Sequence, residues 1–82
     1  MKQIEWINMA RRQVVKISDR RTREAIVAAV ETLTNWPEVK GVKALADRKG
    51  YRLRVGRYRI FFTVEPVIIV ITEVKIRNER TY

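Results

Sequence analysis

The sequence predicts an α+β domain: a helical hairpin packed on one face of a small antiparallel sheet, in the order β-α-α-β-β-β. Three observations carry this. Apolar residues recur at helical spacing, first as Ala10, Val14 and Ile17 and then as Ile26, Ala29, Val30 and Leu33. Apolar and cationic residues alternate from Tyr51 to Arg59 about Gly56-Arg57, which is strand spacing about a tight turn. Val67 to Ile76 is β-branched almost throughout. The 82 residues suffice for a single domain spanning residues 1–82.

Gln3 to Trp6 reads as a short strand. Asn8 can cap a helix from Met9 to about Ile17, with Arg11, Arg12 and Lys16 on its other faces. Ser18 and Asp19 interrupt the pattern, and either can cap the next helix. That helix runs from about Arg20 to Asn35, with Glu24 and Glu31 facing water. Trp36-Pro37 ends it, because the residue before proline is pushed out of the α region. So short a connection makes the two helices an antiparallel hairpin. Met9, Val15 and Val27 are left as candidate exposed apolar positions that a partner helix could cover.

Glu38 to Gly50 reads as a loop, with Gly41, Asp47 and Gly50 as turn residues. Val42, Ala44, Leu45 and Ala46 pin part of it to the core. Tyr51 to Val55 and Tyr58 to Val64 then form a hairpin. Glycine first in a two-residue loop suits a type II′ turn. Tyr51, Leu53 and Val55 share one face with Tyr58, Ile60, Phe62 and Val64. Arg52 and Arg54 share the other with Arg59, Phe61 and Thr63. Glu65-Pro66 turns the chain into Val67 to Ile76, a central strand expected to be buried on both sides. The tail, residues 77–82, is polar.

Net charge is +9 and unevenly placed. Residues 40–59 hold eight basic side chains against one acidic, so seven of the nine net charges sit in a quarter of the chain. Such a cluster implies an anionic partner. There is no cysteine, which suits a reducing cytoplasm. No apolar run approaches the roughly 20 residues of a membrane span, and the first residues carry no secretory pattern. A soluble, cytoplasmic protein is expected. Histidine is absent. That excludes a His-His ribonuclease mechanism, Ser-His and Cys-His nucleophiles and the common zinc sites, and no cofactor is called for. Any catalysis relies on Arg, Lys, Tyr and carboxylates.

On the open face, Arg52, Arg54 and Arg59 are placed to converge on one phosphate. Arginine binds phosphate bidentately and stays charged at physiological pH. It can stabilise a pentavalent phosphorane, but it is a poor proton acceptor. Phe61, on the same face, can stack on a base or pack beneath the tail. Lys40, Lys43, Arg48, Lys49 and Arg57 surround the hairpin with further positive charge. Tyr82 closes the tail near Arg77, Glu79 and Arg80; cations around a phenol favour its ionised form and so its use in proton transfer. By spacing alone, a terminal residue is as readily a frayed end.

The hairpin Tyr51-Arg52-Leu53-Arg54-Val55-Gly56-Arg57-Tyr58-Arg59-Ile60, the apolar strand after it and the basic tail ending in tyrosine resemble the RelE toxins of bacterial toxin–antitoxin systems. Lys43-Ala44-Leu45 also looks like that family's Lys-x-Leu before the first hairpin strand. The resemblance covers nearly the whole chain, and the hairpin is its most specific part. It implies a RelE-like fold and a ribosome-dependent mRNA endonuclease acting in the A site. The message's own 2′-hydroxyl would attack the adjacent phosphate and leave a cyclic phosphate. Arg52 and Arg54 match the family's first-strand basic pair, Arg59 the arginine after the second strand's tyrosine, and Tyr82 the terminal-region tyrosine. Arg77 or Arg80 matches the tail arginine. The implied RNA and ribosome contacts are Lys40, Lys43, Arg48, Lys49, Arg57 and Phe61. The implied partners are a cognate antitoxin, held in a hetero-oligomer, and the ribosome with its 16S rRNA and mRNA.

One departure matters. Well-known members of the family carry lysines where this chain has Arg52 and Arg54. Proton abstraction then falls to Tyr82, Glu79, Lys43 or Lys75, or the reaction rests mainly on electrostatics. Two other readings stay open: a ParE-type toxin of the same fold that inhibits DNA gyrase, and a basic RNA-binding module without activity.

Overall fold

The computed structural model of the chain describes residues 1–76. Its elements are β1 (Gln3–Trp6), α1 (Asn8–Val15), α2 (Arg20–Glu31) with a 3₁₀ turn over Thr32–Asn35, β2 (Val42–Ala44), β3 (Tyr51–Val55), β4 (Tyr58–Val64) and β5 (Ile68–Ile76). The five strands form one mixed sheet in the order β1-β5-β4-β3-β2. β1 runs parallel to β5, and the other pairings are antiparallel. The α+β class and the two helices on the sheet are as expected. β1 is the short strand expected over Gln3 to Trp6; its parallel pairing with β5, and the short strand β2 inside the segment read as a loop, are additions.

α1 begins and ends differently from the sequence reading, whereas the second helix starts at Arg20 and its helical turns run to Asn35, as expected. Asn8 does not cap α1; Ile7 holds the extended N-cap position, and no side chain caps that end. α1 stops at Val15, yet Ala10, Val14 and Ile17 are buried as the spacing requires. Asp19 rather than Ser18 caps α2, accepting from the Thr22 N–H at 3.2 Å. The Thr22 hydroxyl also donates to this carboxylate and, as the main cause, holds its pKa below the ordinary value. The last turn of the second helix tightens to 3₁₀ before Trp36.

The core lies between the helices and one face of the sheet. Ile26, Val30 and Leu33 from the second helical segment meet Leu53, Ile60, Phe62, Ile69 and Ile71 from the strands. Strand alternation places these sheet residues on the helix side. β5 is central but not buried on both sides. Ile69, Ile71 and Val74 are buried, whereas Ile68, Val70, Thr72 and Glu73 are half-buried and Lys75 and Ile76 exposed. The helices cover only one face, so the alternation of a one-sided sheet replaces the expected apolar run. A register shift between Phe61 and Phe62 leaves Thr72 without a partner on β4 and keeps Glu73 and Lys75 on the open face. β1 pairs only as far as Ile71, so among the described residues no strand covers the outer edge of β5 beyond it. There the Gln13 side chain accepts the Val74 N–H and ties α1 to that edge.

The hairpin turn fits type II′. Gly56 has φ +57°, and no residue other than glycine has positive φ among those described. A methyl group at Gly56 would meet nothing within 4 Å, so a substitution there is penalised by backbone conformation alone. Gly56→Ala is expected to destabilise the fold by about 1 kcal/mol in urea unfolding, and Gly56→Asn by less, since asparagine tolerates positive φ.

Candidate nucleic-acid interface

The pairing register builds the open face as two rows of side chains running across the strands. The first row is Lys43, Arg52, Phe61 and Glu73, directly opposite one another on β2, β3, β4 and β5. The second is Arg54, Arg59 and Lys75 on β3, β4 and β5. Beside Arg54 the second row ends at Gly41, whose carbonyl accepts the Arg54 N–H at 2.9 Å and which offers no side chain. Neighbouring members of a row stand about 5 Å apart, and the two rows are separated by about 7 Å along the strands.

The second row puts three cations side by side. Like charges directly opposite in a sheet are destabilising. Among the described residues, Arg52, Arg54 and Arg59 take part in no ion pair; the two that form are Arg20–Glu24 and Lys75–Glu73. The fold therefore maintains uncompensated positive charge on its open face, which an anion from outside would relieve. A hollow of about 130 Å³ opens over this row, lined by Arg52, Arg54, Gly56, Arg57, Tyr58 and Arg59. A second hollow on the β2 side is lined by Gly41, Val42, Lys43, Arg52 and Arg54. Arg52 and Arg54 border both.

Phe61 lies on this face, half-buried, and not in the core. The Arg48 guanidinium from the β2–β3 loop sits over its ring, 5.0 Å from the centroid, a cation–π contact. Lys40 and Lys49 are exposed in the segments flanking β2, outside the two rows. Arg77, Glu79, Arg80 and Tyr82 lie outside the described residues. Among the described residues no group of three or more His, Cys, Asp or Glu side chains could hold a metal ion, and no helix is long and apolar enough to cross a membrane.

Sequence reasoning missed Glu73. It is the one carboxylate in β2–β5, and it belongs to the first row. Treating Val67 to Ile76 as buried on both sides hid it. The polar residues Thr72, Glu73 and Lys75 within the apolar run were the available signal, but the bulge breaks their alternation.

Comparison with known proteins agrees with this architecture. None of the curated protein sequences is similar enough to count as a match. Among solved structures, the RelBE2 toxin–antitoxin complex of Mycobacterium tuberculosis contains a chain 24% identical to this one. The match covers 93% of this chain and 98% of that one, with a TM-score of 0.77. The isolated E. coli RelE toxin matches at 14% identity over 96% of this chain and 87% of its own, with a TM-score of 0.79. The YoeB dimer of Staphylococcus aureus matches at 18% identity over 94% and 98%, with a TM-score of 0.74. At these identities the likenesses show a shared fold, the one expected from the resemblance to RelE. The family model for the ParE toxin of type II toxin–antitoxin systems matches residues 4–80. The chain belongs to this family, within the RelE/ParE superfamily, and is the toxin of a type II toxin–antitoxin system.

Proposed function

We propose that this toxin is a ribosome-dependent mRNA endonuclease that cuts the message in the A site. The observation that carries the reading is the row Arg54, Arg59 and Lys75 with Arg52 beside it, on strands β2–β5 that hold a single carboxylate, Glu73. Such concentrated positive charge suits a polyanion. In the cleavage reaction the 2′-hydroxyl attacks the neighbouring phosphorus, the bond to the 5′-oxygen breaks, and a 2′,3′-cyclic phosphate remains. Arg52, Arg54 and Arg59 stabilise the extra negative charge of the phosphorane. Phe61, with Arg48 on its ring, offers a stacking surface for the adjoining base. Lys40, Lys43, Lys49 and Arg57 supply screened attraction to rRNA and mRNA backbones. Tyr82, with Arg77 or Arg80, completes the site by the family resemblance. The implied partners are a cognate antitoxin and the ribosome, encountered in the cytoplasm; structural neighbours that are toxin–antitoxin complexes support the first.

Inducible expression followed by mapping of mRNA ends tests this reading. Cuts at A-site codons are expected with translating ribosomes and none on free message. In the same assay Tyr82→Phe is expected to slow cutting by up to about 10²-fold, through lost positioning of the reacting groups.

The ParE family match favours one other reading, inhibition of DNA gyrase by binding. It needs no proton-transfer residues. Gyrase cleavage complexes, without mRNA cutting, are its expected signature.

A further inference from the structure

The geometry points to Glu73 and Lys75 as the acid–base couple of the cleavage reaction. The inference rests on the nuclease reading above and goes beyond it, since none of the arginines of the face can move a proton. The two rows present different chemistry. The first offers the Phe61 ring, a surface for a base; the second offers Arg54 and Arg59, ligands for a phosphate. A nucleotide lying across them would place its ribose between the rows. Glu73 stands at the β5 end of the first row, opposite Phe61, and Lys75 at the β5 end of the second, opposite Arg59. Their side chains meet at 3.6 Å, which draws the carboxylate from its own row toward the gap where the ribose would lie. Neither group is sealed in the protein, so a substrate can reach both. The Glu73 side chain is 21% exposed and that of Lys75 61%.

The step balances without any further reactant. The Glu73 carboxylate takes the proton of the 2′-hydroxyl as that oxygen bonds to phosphorus. The bond from phosphorus to the 5′-oxygen breaks, and the departing oxygen takes a proton from the Lys75 ammonium. Glu73, now protonated, returns its proton to the Lys75 amine across their contact. Both groups are then restored, and the net change is one proton moved from the 2′-oxygen to the 5′-oxygen. Arg54 and Arg59 hold the charge on the phosphoryl oxygens throughout. A carboxylate and an ammonium on one strand can therefore fill the gap left where arginines replace lysines at positions 52 and 54.

The test uses the full chain with programmed ribosomes and two synthetic messages. One has an ordinary A-site phosphodiester; the other has sulfur in place of the scissile 5′-oxygen, a leaving group that needs no proton. Glu73→Gln is expected to lower the cutting rate by about 10²–10⁴-fold on both messages, with Glu73→Asp recovering part of it. Lys75→Ala is expected to lose a comparable factor on the ordinary message and to regain most of it on the sulfur message, which a merely structural role for Lys75 would not produce. Circular dichroism and ribosome co-sedimentation show whether the variants fold and bind. If the unaltered chain cuts while folded, bound Glu73→Gln and Lys75→Ala cut at its rate, the couple is wrong and the nuclease reading stands. Equal loss on both messages for Lys75→Ala removes Lys75 as the acid and overturns the couple. If the unaltered chain cuts neither message, both readings fall.

Discussion

Replacing Arg54 and Arg59 together with glutamine is expected to abolish growth arrest and, at the same time, to make the protein slightly more stable. The two residues face each other across β3 and β4, and Arg59 also faces Lys75. Directly opposed like charges weaken a sheet by an amount within the ~0.2–1 kcal/mol range of cross-strand pair effects. Glutamine keeps the length and the strand geometry and removes the repulsion, so the melting temperature is expected to rise by a few degrees. Cleavage on translating ribosomes is expected to fall by about 10²–10³-fold for each guanidinium that stabilises the transition state. Opposite signs on stability and activity distinguish a functional charge cluster from an incidental one. If the double variant melts lower, Arg54 and Arg59 stabilise the sheet and the row is not a strained charge cluster. If it melts higher but still cuts at the original rate, the arginines do not act in catalysis. Under the gyrase reading, mRNA cutting is absent from the start.

Much of this face is legible in the sequence because two local rules suffice for it. Period-two alternation puts Arg52 and Arg54 on one side of β3, and the two-residue turn at Gly56-Arg57 fixes which residue of β4 faces which residue of β3. With the register set, Arg59 must oppose Arg54 and Phe61 must oppose Arg52. Beyond the hairpin, long-range pairing decides matters that no local rule encodes. β2 is three residues long, and Val42 and Ala44 give it little strand signal of its own; its pairing with β3 is what makes it a strand. β1 joins the sheet next to β5, the last strand, as a parallel partner. The bulge at Thr72 shifts the alternation of β5 by one residue, and so decides that Glu73 and Lys75 share the arginine face. The helix stripes were readable from spacing, whereas the first cap was not. Asn8 has the right chemistry, but Ile7 is held in extended conformation as its N–H donates to the Ile71 carbonyl, and the helix starts directly after it.

Phe62→Ala is the core substitution expected to do most damage, and it tests whether the helix side of the sheet sets up the arginine side. Phe62 is 1% exposed and lies opposite Tyr51 across the hairpin. Their rings stack with centroids 5.7 Å apart, and Trp36 meets both edge-on, at 4.8 Å from Tyr51 and 5.7 Å from Phe62. This cluster joins the segment that ends the second helix to the two strands that carry Arg52, Arg54 and Arg59. Loss of the ring removes its buried area and leaves a cavity, for about 3–5 kcal/mol in all. Small domains are stable by only about 5–15 kcal/mol, so a large part of the population would unfold at physiological temperature. Growth arrest is therefore expected to disappear although no residue of the charged face has changed. Phe62→Leu keeps most of the apolar volume and is expected to stay folded and toxic, with a modestly lower melting temperature. The two variants separate loss of fold from loss of chemistry, which the glutamine variants alone cannot do. A Phe62→Ala protein that melts within a few degrees of the unaltered chain would show that the aromatic cluster does not hold β3 against β4, and that the rows owe their spacing to the hairpin alone.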